Sequence, residues 1–143
     1  MWWCREACYT KADPGRIGDV KAALGEGSEF HRARGYYLDP VSPSLPSLPD
    51  GWEARMTSIE QNDLRVWFLD PEDAAVSKYA RGHPNDLRWI QAGIRSGNVS
   101  LPKIKARLAS TTFLDADEEA RVRKQVDADS AWLETVKARA SKP

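Results

Sequence analysis

Cysteine and histidine are scarce in this chain, which has two of each among 143 residues. Cys4 and Cys8 lie four apart near one terminus, the wrong arrangement for a disulfide scaffold. With only His31 and His83 beside them, they are too few for a tetrahedral metal site. Two reduced thiols with no metal or redox role are the expectation. Net charge is missing too, because 21 basic and 21 acidic residues cancel, so global charge gives no signal for nucleic acid or membrane surfaces. No run approaches the roughly 20 apolar residues of a membrane span. Met1-Trp2-Trp3-Cys4-Arg5 lacks the basic start and apolar middle of a signal peptide, so a cytoplasmic location is expected. Trp67, Trp89 and Trp132 are spaced as packing residues and do not interleave with a basic stripe, which argues against base stacking.

What is present is an ordinary balance of 41% hydrophobic and 29% charged residues, enough for one modest core. Residues 1–143 are therefore expected to form a single domain. Residues 1–12 show no clear period. From Asp13-Pro14 to Leu24, the positions Ile17, Val20, Ala23 and Leu24 recur at helical spacing until Gly25 and Gly27 interrupt them. Gly35-Tyr36-Tyr37-Leu38 reads as a brief strand. Pro40, Pro43, Pro46 and Pro49, with Ser42, Ser44 and Ser47, then make residues 40–50 an extended surface connector, since each proline fixes φ and removes an amide donor.

The clearest β signal is a hairpin at about 54–69: Met56 to Glu60 and Leu64 to Leu69, joined by Gln61-Asn62-Asp63. Leu64, Val66 and Phe68 share one face and Arg65, Trp67 and Leu69 the other, so cover is expected on both sides. Beyond it the chain reads as helical. Asp70 is an N-cap, Pro71 suits the first helical position, and Glu72 and Asp73 place acid in the first turn, all ordinary capping features. This helix is expected to end at Arg81-Gly82. A second, from Pro84 to Gly97, carries Leu87, Ile90 and Ile94, and a third is capped by Ser100 and carries Leu101, Ile104 and Leu108. Asp115 and Glu118 form a capping box for the last helix, which Phe113 or Leu114 staples and whose buried stripe is Val122, Val126, Leu133 and Val136. The fold class is α+β: a small mixed or antiparallel sheet beside a C-terminal helical region, 70–143.

Lys78 and Arg81 are three apart and share a helix face, and the Gly82-His83-Pro84 turn brings Asp86 back beside them. Two cations and an acid at a helix corner can bind nucleotide phosphates, with Asp86 orienting Lys78 or Arg81. The alternative, which spacing alone favours, is a structural ion pair that clamps the corner. Asp70, Glu72 and Asp73 crowd a strand end as a metal cluster would, but first-turn acids behind a capping Asp are explained by the helix alone. No metal ligands are assigned.

The run from Leu69-Asp70-Pro71-Glu72-Asp73 through Lys78 and Gly82 to Asp86-Leu87 resembles bacterial nucleotidyltransferase-like proteins. These include a family of unknown function in the minimal nucleotidyltransferase superfamily, related to toxins of abortive-infection systems. Gly51-Trp52-Glu53-Ala54-Arg55, Leu24-Gly25-Glu26-Gly27-Ser28 and Gly35-Tyr36-Tyr37 add to the likeness, which spans roughly residues 11 to 110, with 11–69 as a partial nucleotidyltransferase-like α/β part. Asn85 departs from it, because relatives commonly carry lysine just before the aspartate. The resemblance implies transfer of a nucleoside monophosphate from an NTP to protein or RNA, with magnesium and NTP as cofactors and Lys78, Arg81 and Asp86 at the nucleotide.

Such transfer, in the superfamily, uses a Gly-Ser turn, an Asp-x-Asp on a strand and a third acid to hold two divalent ions, because residues i and i+2 of a strand share a face. Asp115-Ala116-Asp117 and Asp127-Ala128-Asp129 fall on or at the start of a helix, where positions two apart diverge by roughly 200°. Gly27-Ser28 is followed at a suitable distance only by Asp39, which precedes Pro40-Val41 and not a second acid. In relatives the catalytic strands would precede Lys11, where this chain has only Met1 to Thr10. The reading is thus a truncated or degenerate relative. The alternative is a noncatalytic binding module or toxin–antitoxin partner, whose exposed strand edge invites a second protein or a second copy.

Overall fold

The computed structural model describes residues 4–41 and 46–140; Met1 to Trp3 and, from the expected connector, Ser42, Pro43 and Ser44 lie outside them. The chain divides into two compact units, residues 1–45 and 46–143, and the fold class is α+β as expected.

In the first unit, β1 (Cys4–Cys8) pairs in parallel with β2 (Tyr36–Pro40), and α1 (Ile17–Leu24) and α2 (Glu29–Arg34) form the crossover between them. The β1 strand has no periodic signal because it is five residues long and has one neighbour. The expected helix after Asp13 is split. Asp13 Oδ1 accepts from the Gly15 amide at 3.0 Å to cap a 3-10 turn at Pro14–Arg16, and α1 continues from it to the break at Gly25. Gly27-Ser28, the dipeptide with which a phosphate turn would begin, starts α2 instead. Ser28 Oγ accepts from the His31 amide at 3.1 Å, and the Gly27 amide, at φ +78°, donates to His31 Nδ1 at 2.9 Å. Cys8 is a free thiol whose pKa is raised by burial and then by the charge of Asp39.

The second unit opens with α3 (Trp52–Arg55) and the hairpin β3 (Thr57–Gln61) and β4 (Leu64–Phe68), in the antiparallel register Ile59↔Val66. Asn62 supplies the turn with φ 54°. The expected cover is not there: all ten strand residues are exposed. Two strands can satisfy only their facing hydrogen-bond edges, and no third strand or helix is packed on them among the described residues.

The core of this unit lies among α4 (Pro71–Arg81), α5 (Pro84–Ser96), α6 (Leu101–Leu108) and α7 (Ala116–Ala140). Ala75, Val76 and Tyr79, which the sequence reading did not single out, are buried there with Ile90, Ile94, Leu101, Ile104, Leu108, Val122 and Val126 from the expected stripes, whereas Leu87, Leu133 and Val136 are only half-buried. Each fully buried aliphatic side chain contributes about 1.5–3 kcal/mol. Asp70 caps α4 as expected, accepting from the Glu72 amide at 3.0 Å. Asp115 caps α7 as expected, its Oδ1 accepting from Glu118 N at 2.7 Å, while the return bond of Glu118 Oε2 goes to Leu114 N at 2.9 Å, one residue before the cap. Ser100 behaves differently from expectation: its side chain makes no capping bond, and its amide donates to Glu72 Oε1 at 3.1 Å. Helix α5 is capped by His83, whose Nδ1 accepts from the Asn85 amide at 3.2 Å.

Candidate functional site

The corner between α4 and α5 brings Lys78, Arg81 and Asp86 together. Gly82 makes the bend possible, at φ +68°, a conformation that costs any residue with a Cβ. One turn later Asp86 points back, its side chain only 3% exposed. Arg81 Nε donates to Asp86 Oδ2 at 2.5 Å and Arg81 Nη2 to Oδ1 at 2.6 Å, a bidentate pair, while Lys78 Nζ donates to the same Oδ1 at 3.3 Å. Burial acts to raise the Asp86 pKa, but the Arg81 hydrogen bond and the charges of Lys78 and Arg81 outweigh it and hold the carboxyl below its usual range. The acid stays ionised and the cluster keeps one net positive charge. Asp86 is the buried anchor, and the Arg81 side chain remains 45% exposed. The cluster therefore has the clamp geometry of one sequence reading, and in Arg81 it keeps one solvent-facing cation of the other.

A fourth residue belongs here that the sequence reading set aside. Lys78 Nζ lies 5.0 Å from the ring centroid of Trp89, over its face. Trp89 is three positions after Asp86 on α5, so helical spacing alone puts it at the corner. The three tryptophans read as packing residues each have a cation over the ring: Arg65 over Trp67 at 5.8 Å, Lys78 over Trp89, and Arg95 over Trp132 at 5.5 Å. Lys78 and Arg95 come from other helices, which is why a stripe search along the chain misses them.

Asp70, Glu72 and Asp73 do converge, though not to do capping alone. They surround Arg107, whose Nη1 bonds Asp70, donates to Asp73 Oδ1 at 3.0 Å and lies 3.8 Å from Glu72 Oε2. Arg55 closes the other side, with Nε 2.8 Å from Asp73 Oδ2 and Nη2 3.1 Å from Asp73 Oδ1. Asp73 is fully buried. The place a cation would take among these acids is filled by two guanidinium groups, which ties α3 and α6 to the start of α4. Arg55 is the last residue of Gly51-Trp52-Glu53-Ala54-Arg55, so that motif is explained by this contact.

Of the two Asp-x-Asp runs, Asp115 is the cap of α7 with Asp117 exposed in its first turn, and the pair within the helix separates as helix geometry requires. Asp127 is exposed beside Lys105 at 3.3 Å, whereas Asp129 is buried and accepts from Tyr79 Oη at 2.7 Å and Gln91 Nε2 at 2.8 Å. Among the described residues, no group of three His, Cys, Asp or Glu side chains is placed to hold a metal ion. Two divalent ions thus have no fitting set of ligands within the described residues, and no helix there is long and apolar enough to cross a membrane.

A family model described as nucleotidyltransferase of unknown function (DUF6036) matches residues 7–139. No curated protein and no solved structure gives a match.

Proposed function

The chain belongs to this nucleotidyltransferase family of unknown function, and on that footing we propose that its α4–α5 corner binds the phosphates of a nucleoside triphosphate. The observation that carries the reading is the triple engagement of Asp86: a buried carboxylate fixes two cations, of which Arg81 keeps 45% of its side chain exposed and Lys78 24%. A preorganised pair of cations binds phosphate without first losing side-chain freedom, the chief cost for flexible lysines and arginines. Lys78 and Arg81 meet phosphate oxygens and Asp86 orients both.

In the full reaction class, a nucleoside monophosphate passes from NTP to a protein or RNA acceptor. Magnesium would neutralise the phosphates there, but the described residues include no set of acids placed to hold it. The proposed role is nucleotide binding by a relative whose own transfer activity is weak or nil. Equilibrium binding of ATP to wild type, Lys78→Ala and Arg81→Ala tests it. Binding that weakens about tenfold in each variant supports the reading, since a charge-assisted contact contributes about 1.5–3 kcal/mol. Equal binding by all three, or none by wild type at millimolar ATP, removes it.

A second reading is favoured by the uncovered hairpin: a noncatalytic binding module or toxin–antitoxin partner that docks a protein, or a second copy of itself, on β3–β4. In the observed register Ile59, Leu64, Val66 and Phe68 fall on one face, all exposed and without a charged residue between them. Size-exclusion with light scattering decides it. A stable monomer that retains no co-expressed neighbour counts against this reading.

A further inference from the structure

Trp89 is an expensive residue to leave in solvent. The core face of α5 is Asp86, Ile90 and Ile94; Trp89 lies off that face and is 40% exposed. Its position is nevertheless fixed, because one ammonium, Lys78 Nζ, bonds Asp86 Oδ1 at 3.3 Å and lies over the Trp89 ring at 5.0 Å. A flat aromatic surface is thereby held beside Lys78, one of the two cations proposed to take phosphate. Trp132, by contrast, is half-buried against the core, and Trp67 lies on the hairpin. Among the tryptophans of the described residues, Trp89 is the one with Lys78 over its ring.

From this juxtaposition we infer that Trp89 stacks the base of the bound nucleotide, so that the corner recognises a nucleoside triphosphate and not merely a polyphosphate. The inference rests on the phosphate reading of the same corner and adds the substrate class. An indole face is attractive to any base, and most to a purine, whose two fused rings cover more of it. The cations give affinity for phosphate but cannot tell ATP from inorganic tripolyphosphate of similar charge. The Trp89 ring offers the larger aromatic face at the corner, beside the exposed imidazole of His83, for making that distinction by stacking. A purely structural Trp89 would shelter the Lys78–Asp86 pair and affect both ligands alike.

The test titrates ATP, CTP and inorganic tripolyphosphate separately into the wild-type chain, Trp89→Leu and Trp89→Phe, with folding checked by circular dichroism. The wild type is expected to bind ATP at least about fivefold more tightly than tripolyphosphate, with CTP between them, the lower end of what one base stack contributes. In Trp89→Leu the ratio falls to near one while tripolyphosphate affinity stays within about twofold, and in Trp89→Phe the preference for ATP returns. Equal binding of ATP and tripolyphosphate by wild type, or a preference that survives in Trp89→Leu, overturns the stack while leaving phosphate binding intact. If neither ligand binds wild type, the phosphate reading falls and the stack falls with it.

Discussion

Tyr79 donates its phenolic proton to Asp129 Oδ2 at 2.7 Å across 50 positions of sequence, joining α4 to α7 inside the core. Burial, then the hydrogen bond and charge of Asp129, push the Tyr79 pKa far above its usual value, so the phenol remains a donor at any ordinary pH. Gln91 supplies the second donor to the same carboxylate. In Tyr79→Phe the ring still fills its space but a buried carboxylate oxygen loses its partner. Chemical denaturation is expected to show a loss of about 1–3 kcal/mol. A loss below a few tenths of a kcal/mol would mean that water reaches Asp129.

The α4–α5 bend depends on the small size of Gly82. A Cβ there would lie 2.6 Å from Arg121 Nη1, and Arg121 donates to the Tyr79 and Ala80 carbonyls at 3.3 and 2.6 Å, satisfying the end of α4. Gly82→Ala combines left-handed backbone strain with displacement of that guanidinium. It is expected to cost about 1–3 kcal/mol, read as a lowered denaturation midpoint, and to weaken nucleotide binding because Lys78 and Asp86 flank the bend. Unchanged stability would contradict the role given to Arg121.

Asp73 is the most consequential acid of the buried network. It accepts from both Arg55 and Arg107 and has no solvent exposure. Asp73→Asn removes the charge that both guanidinium groups face, and a loss of roughly 3 kcal/mol is expected from thermal or urea unfolding. Asp127→Asn, at an exposed pair, is expected to stay within about 0.5 kcal/mol. If the two variants behave alike, the network is not what holds α3 and α6 to α4.

Stability is expected to depend on acid titration with a definite sign. Burial acts to raise the Asp70 pKa, but hydrogen bonds from Arg107 and at Glu72, with the Arg107 charge, bring it down to about 2; Asp86 is likewise lowered. A carboxyl whose folded pKa lies below its unfolded value near about 4 stabilises the fold above that value. That contribution is lost as pH falls from about 4 towards 2. Urea midpoints measured from pH 7 downward are expected to hold until about pH 5 and then drop, with a smaller drop in Asp70→Asn. A midpoint that rises on acidification would contradict the assignment.

Much of the helical unit was legible because its signals are local. Asp70-Pro71 and Gly82, Pro84 and Gly97, and Asp115 with Glu118 mark helix ends by capping chemistry, and the structure uses each of them. What stayed hidden depends on distant partners. The β1 strand acquires its identity from Tyr36–Pro40, and Glu72 and Asp73 look like first-turn acids until Arg55 and Arg107 arrive from other elements. Lys78, Arg81 and Asp86 were visible as a cluster because three- and eight-residue separations span one helix corner. Trp89 was visible by the same spacing, but in sequence its cation lies on the preceding helix.

Where a nucleotide lands is read most directly from amide and indole chemical-shift changes on adding ATP to the isotope-labelled chain. Shifts are expected at Lys78, Gly82, Asp86 and the Trp89 indole, with Asp73 and Arg107 unmoved. Shifts centred instead on the first unit's cleft of about 370 Å³ beside Thr10, Lys11 and Ile17, or no shifts at saturating ATP, would contradict nucleotide binding at the α4–α5 corner.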